Sequence, residues 1–90
     1  MASGCPFGGA GNDTLTGGDD RDVLSGDEGD DLLFGNKGHD SIDGSTGEDT
    51  IFGGQQNDSI TGGSGNDTIS GSNGNDTMSG GLGKDTLNGG

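Results

Sequence analysis

Large apolar residues recur at an interval of nine along almost the whole chain, at Leu15, Leu24, Leu33, Ile42, Ile51, Ile60, Ile69, Met78 and Leu87. Two positions before each stands an acid: Asp13, Asp22, Asp31, Asp40, Asp49, Asp58, Asp67, Asp76 and Asp85. Five positions before each Asp stands a glycine: Gly8, Gly17, Gly26, Gly35, Gly44, Gly53, Gly62, Gly71 and Gly80. A fixed period of this kind marks a repeat architecture, in which no unit can bury its own apolar face and each must stack on its neighbours. Numbered from its glycine, each unit carries the Asp at position six and the apolar residue at position eight. Composition alone points elsewhere. Only 21% of the 90 residues are hydrophobic, 24 are glycine, and the formal charge is −13, a balance that normally means disorder. A disordered linker has no reason to keep three positions in register through nine units, so the period overrides the composition.

Each unit divides into a turn and a very short strand. In Gly62-Gly63-Ser64-Gly65-Asn66-Asp67 the Gly, Ser and Asn residues suit tight turns and positive φ. Thr68-Ile69-Ser70 follows, with an apolar residue between two polar ones, and period-two alternation turns Ile69 to the opposite face from its neighbours. Two units therefore make one full coil. Stacked coils give an all-β fold with two parallel sheets, the aliphatic residues between them, odd-numbered turns along one edge and even-numbered turns along the other. No 3.6-residue periodicity is present and glycine recurs throughout, which excludes helix.

The charge excludes several functions. Sixteen acids against three basic residues disfavour nucleic acid and anionic membranes and favour cations. A single cysteine, Cys5, rules out an intramolecular disulfide. No apolar stretch is long enough for a signal-peptide core or a membrane span, so the expectation is no membrane insertion and, if the chain is exported, a route without an N-terminal signal. No Ser/His/Asp or Cys/His constellation and no H-E-x-x-H motif suggests an enzyme.

The unit reads Gly-Gly-x-Gly-x-Asp-x-U-x, with U a large aliphatic, and Gly8 to Thr16 and Gly62 to Ser70 match it in full. The chain resembles the calcium-binding nonapeptide repeat region of the RTX, or haemolysin-type, family. The resemblance covers Gly8 to Gly90, leaving residues 1–7 as a lead-in and 8–90 as the repeat domain. It implies a right-handed parallel β-roll of nine repeats, two per coil, with Ca²⁺ held between stacked turns of one edge. Each ion then takes a carboxylate oxygen from the Asp of both turns and several backbone carbonyls. On the odd edge Asp13, Asp31, Asp49, Asp67 and Asp85 pair into four sites; on the even edge Asp22, Asp40, Asp58 and Asp76 pair into three, giving about seven sandwiched ions. The carbonyls implied are those at or near Gly8, Ala10, Gly11, Gly26, Asp27, Gly29, Gly44, Gly47, Gly62 and Gly65. The resemblance further implies a non-enzymatic module that folds on binding calcium. Such modules belong to secreted bacterial toxins, proteases and lipases exported by type I secretion. The alternative reading is an adhesive, ice-binding or protein-interaction solenoid face.

Some residues depart from the pattern or stand outside it. Position four holds Asp20 and Gln56 where the family has Gly, which predicts weaker even-edge turns; position two is relaxed at Asp27, Asn36, Ser45 and Ser72. His39 reads as a solvated turn residue without a His or Cys partner in its repeat, and Cys5 as a free thiol or a bridge to another chain. The acids outside position six (Asp19, Asp20, Asp27, Glu28, Asp30, Asp43 and Glu48) read as a solvated surface. Phe34 and Phe52 fall at outward position nine of neighbouring odd coils and are expected to stack. Thr14, Thr50, Thr68 and Thr86 line the outer face of the odd sheet, interrupted by Leu32. The array has few residues before it and breaks off within a tenth unit, so it is expected to be a fragment, an engineered chain or a protein that self-associates through uncapped ends.

Overall fold

Three-residue alternation around each apolar position is realised nine times over. The computed structural model describes residues 9–19, 21–72 and 74–89. Of the residues singled out above, Cys5, Gly8 and Asp20 lie outside them. The strands are β1 (Thr14–Gly18), β2 (Val23–Ser25), β3 (Leu32–Asn36), β4 (Ser41–Asp43), β5 (Thr50–Phe52), β6 (Ser59–Thr61), β7 (Thr68–Ser70), β8 (Thr77–Ser79) and β9 (Thr86–Asn88). One sheet has the order β1-β3-β5-β7-β9 and the other β2-β4-β6-β8, with every pair parallel. The pairing joins each residue to the one eighteen positions on, as in Leu33↔Ile51 and Ile42↔Ile60. The chain is thus a parallel β-solenoid of about four coils, two repeats to a coil, consistent with a β-roll. Among the described residues no helix forms.

Between the sheets lies a single column of aliphatic side chains. Leu24, Leu33, Ile42, Ile51, Ile60 and Ile69 are fully buried, and Leu15 and Met78 pack partly buried against them. Leu87, on the last strand of the five-stranded sheet, is 46% exposed. The slab measures 28 × 25 × 13 Å. One core residue per nine is a thin core, and the turns carry a large share of the contact between coils.

The outer faces follow the expected register. Thr14, Leu32, Thr50, Thr68 and Thr86 form one row on the five-stranded sheet. Phe34 and Phe52 stack beside it with ring centroids 5.2 Å apart and planes 8° from parallel. Strands β1 and β3 are five residues long rather than three, because pairing continues through Gly18↔Asn36 at position two of the next turn.

Candidate metal centre

The turn geometry follows from two positions of positive φ. Position two is left-handed at Gly9, Gly54, Gly63 and Gly81, and equally at Asp27, Asn36, Ser45 and Ser72. Position four is left-handed at Gly11, Gly29, Gly38, Gly47, Gly65, Gly74 and Gly83, and at Gln56 with φ 73°. Gln56 therefore keeps the backbone path of its glycine neighbours, at the cost an L residue bears there.

At position six the carboxylates form two continuous columns. From the third repeat on, Oδ1 of each Asp accepts the backbone N–H of the Asp eighteen residues earlier: Asp31 from Asp13, Asp49 from Asp31 and Asp67 from Asp49, each at 2.8 Å on the odd edge. On the even edge Asp40 accepts from Asp22, Asp58 from Asp40 and Asp76 from Asp58, again at 2.8 Å. Half of each carboxylate thus ties two turns together. The other half is different. Oδ2 of Asp13, Asp22, Asp31, Asp40, Asp49, Asp58, Asp67 and Asp76 is buried and has no hydrogen-bond partner. An unpaired buried carboxylate oxygen is costly, and a native fold compensates it with a proton, a donor or a cation.

The first glycine of each repeat explains what Oδ2 faces. A Cβ placed on Gly26 would lie 2.5 Å from Asp31 Oδ2 and 3.0 Å from the Gly44 carbonyl oxygen of the next turn on that edge. At Gly44 the same two contacts are 2.5 Å to Asp49 Oδ2 and 2.8 Å to Gly62 O; at Gly62 they are 2.5 Å to Asp67 Oδ2 and 2.9 Å to Gly80 O. On the even edge Gly17 faces Asp22 Oδ2 and Gly35 O, Gly35 faces Asp40 Oδ2 and Gly53 O, and Gly53 faces Asp58 Oδ2 and Gly71 O. Position one must lack a side chain because a carboxylate oxygen and a carbonyl oxygen converge beside it. This is a hard-oxygen cradle repeated between successive turns, the donor chemistry that a calcium-sized cation takes. Among the described residues no group of three His, Cys, Asp or Glu side chains gathers as a metal cluster. A cation held here must therefore draw on backbone carbonyls as well as on carboxylates.

Electrostatics agree with the geometry. Burial pushes the Asp49 carboxyl up to about 7, with the nearby Asp67, Asp31 and Asp30 carboxylates adding to the rise and the hydrogen bond from Asp31 opposing it. Burial likewise raises Asp40 and Asp58 to about 6, against the hydrogen bonds from Asp22 and Asp40. Asp31 and Asp67 are raised for the same first reason. The columns concentrate negative charge in a site that disfavours it.

All nine position-six Asp residues fall in the two columns, Asp85 closing the odd one as acceptor from Asp67 N–H at 2.9 Å. Of the carbonyls implied by the resemblance, those of Gly44 and Gly62 face the cradles, while those of Gly11, Gly29, Gly47 and Gly65 abut the position-four glycine of the following turn. Gly26 lines a cradle through its Cα, Ala10 sits exposed in the first turn, and Gly8 lies outside the described residues. The Asp27 carbonyl accepts Thr46 N–H at 3.1 Å. One feature escapes a nine-residue reading. Position five forms a second ladder of opposite sense, in which the side chain of the earlier turn accepts from the later one: Asn12 from Asp30 N–H at 2.9 Å, Asp30 from Glu48 at 2.8 Å, Asn66 from Lys84 at 2.8 Å and Asn57 from Asn75 at 2.7 Å. His39 joins it through Nδ1, 3.2 Å from Asn57 N and 2.9 Å from Asn57 O, so it is a stacking residue rather than a merely solvated one. The one signal in the sequence was the run of short acceptor side chains at position five in Asn57, Asn66 and Asn75.

Fold and site together define a parallel β-solenoid whose stacked turns present paired carboxylate and carbonyl oxygens along both edges. The model of the RTX calcium-binding nonapeptide repeat matches in four copies, over residues 7–42, 25–60, 34–69 and 61–90. The chain belongs to that repeat family. Comparison with curated proteins and with solved structures gives no match.

Proposed function

We propose that the chain is a structural module that binds calcium between its stacked turns and folds because it does so. The observation that carries this reading is the set of buried Oδ2 atoms without a hydrogen-bond partner that converge with a carbonyl oxygen of the next turn beside Gly17, Gly26, Gly35, Gly44, Gly53 and Gly62. The family binds Ca²⁺ through such repeats. Seven strand pairings join like turns, four on the odd edge and three on the even. We assign one ion to each interface, with Asp13/Asp31, Asp31/Asp49, Asp49/Asp67 and Asp67/Asp85 bordering the odd sites. Asp22/Asp40, Asp40/Asp58 and Asp58/Asp76 border the even ones. Position-one and position-four carbonyls supply further oxygen ligands. About seven divalent ions nearly cancel the formal charge of −13, so metal binding free energy becomes folding free energy.

The repeat solenoid is structural rather than catalytic in character. RTX repeats occur in type I secreted bacterial proteins, which points to an extracellular setting. In this reading residues 8–90 form one module of an exported toxin, protease or lipase, disordered where calcium is scarce and ordered outside the cell. A second reading, an adhesive or ice-binding face, draws on the outer Thr row and the Phe34–Phe52 stack. Leu32 interrupts that row, and an ice-shaping assay separates the two readings.

The test is isothermal titration of the metal-free chain with Ca²⁺ and separately with Mg²⁺, followed by circular dichroism before and after EGTA. The expectation is uptake of several Ca²⁺ per chain, much weaker heat with Mg²⁺ because it demands a stricter octahedron, and loss of β signal on chelation. An unchanged spectrum after EGTA contradicts the reading.

A further inference from the structure

We propose that the position-five side chains act as substitute acceptors that release the position-four carbonyls for the cation, and so set which interfaces hold calcium tightly. This rests on the calcium reading above and concerns the same sites.

At positions three and seven the N–H donates to the carbonyl nineteen residues earlier, whereas position one donates forward, as Gly26 does to Asp43 O at 2.9 Å. Leu32 donates to Asp13 at 2.8 Å, Lys37 to Gly18 at 3.0 Å, Gln55 to Asn36 at 2.8 Å and Ser64 to Ser45 at 2.9 Å. Carried to position five, the rule would send Asp30 N–H to Gly11 O, Glu48 to Gly29, Lys84 to Gly65 and Asn75 to Gln56. Those amides go instead to Asn12, Asp30, Asn66 and Asn57 Oδ1. A carbonyl relieved of its amide donor keeps its lone pairs for another partner. The relieved carbonyls lie in the same turns as the buried Oδ2 atoms, and a Cβ at Gly29, Gly47, Gly83 or Gly74 of the following turn would press directly on them, so glycine there leaves them room. Carbonyl oxygens with free lone pairs are what a site with so few carboxylates needs to reach the six or more oxygens calcium takes.

The ladder is not uniform. Glu48, one methylene longer than an Asx residue, makes no such bond to Asn66 N–H. Arg21 has no acceptor to offer His39 N–H. The interfaces between repeats five and seven and between repeats two and four are therefore the weak ones. Those between one and three, three and five, seven and nine, and six and eight are complete, and His39 Nδ1 spans the one between four and six, 3.2 Å from Asn57 N.

Glu48→Asn is the discriminating variant. It removes a negative charge from beside the odd column, so charge alone predicts weaker calcium binding. Completing the ladder predicts the opposite: calcium binding to the full chain tighter by about two- to tenfold, the worth of one net hydrogen bond. Hydrogen exchange at the Asn66 amide of the calcium-loaded chain should slow as well. Asn66→Ala should weaken binding by a similar factor and expose the Lys84 amide, while Asn66→Asp, which keeps the acceptor, restores Lys84 protection. A Glu48→Asn chain that binds calcium no better, or worse, overturns the inference, as does an Asn66→Ala chain with unchanged Lys84 exchange. A wild-type chain that takes up no calcium at all overturns the functional reading instead.

Discussion

Asp49 borders two interfaces, and its two carboxylate oxygens have separate duties. Oδ1 accepts Asp31 N–H at 2.8 Å, while Oδ2 is buried beside Gly44 of its own turn without a hydrogen-bond partner. Asp49→Asn keeps an acceptor and removes the charge, so titration calorimetry should find fewer bound ions with Asp31 amide protection largely retained. Asp49→Ala removes both and leaves the Asp31 amide unsatisfied, a further loss of about 1–3 kcal/mol read from the calcium midpoint. Gly44→Ala attacks the same cradle from the other side, since its Cβ would press on Asp49 Oδ2 at 2.5 Å and Gly62 O at 2.8 Å. Overpacking of this kind costs about 1–3 kcal/mol, to which the lost site adds, and the calcium midpoint of Gly44→Ala should rise at least tenfold. The raised carboxyls also fix a pH dependence for the metal-free chain. Asp49 at about 7 and Asp40 and Asp58 at about 6 lie above the unfolded value of about 3.9. A raised folded value means that protonation favours the fold. The cost of burying these charges is absent below about pH 4, grows as pH rises through 6 to 7, and is complete above. Circular dichroism in metal-free buffer should show more β signal at pH 5 than at pH 8, and equal or lower signal would contradict this.

At the level of the strand, stability comes from one aliphatic residue per element. Ile51 on β5 is fully buried, whereas Leu87 on β9 is 46% exposed. Ile51→Ala should cost about 2–5 kcal/mol and Leu87→Ala clearly less, compared by thermal melting at saturating calcium. The strands, their parallel pairing and the two-sheet arrangement were legible because three residue classes keep one period, and a one-residue slip would turn every aliphatic outward. The position-six columns were legible for the same reason. What the nine-residue period concealed lies in the partners that repeats share across eighteen residues. It gives no hint that Oδ1 is spent on an amide and only Oδ2 remains free. Position five holds Asn12, Asp30, Glu48, Asn66 and Lys84 along the odd edge, which looks like noise until the turns are stacked. Gln56 keeps the left-handed backbone of the glycines it replaces, and Asp58 of its turn accepts Asp40 N–H at 2.8 Å, so the weaker calcium binding predicted for this turn would come from the cost an L residue bears there.

For the whole molecule, a thin core and a formal charge of −13 oppose folding, and the carboxylate columns place much of that charge where water cannot screen it. Calcium answers both problems at once, because an ion between two turns neutralises the columns and joins neighbouring coils. The size of the chain should therefore depend on calcium. Small-angle scattering with and without EGTA measures this directly. With calcium the radius of gyration should approach the 11.3 Å of the folded Cα trace. In EGTA it should expand toward the roughly 30 Å of an unfolded chain of this length. A compact chain of unchanged radius in EGTA would contradict the account.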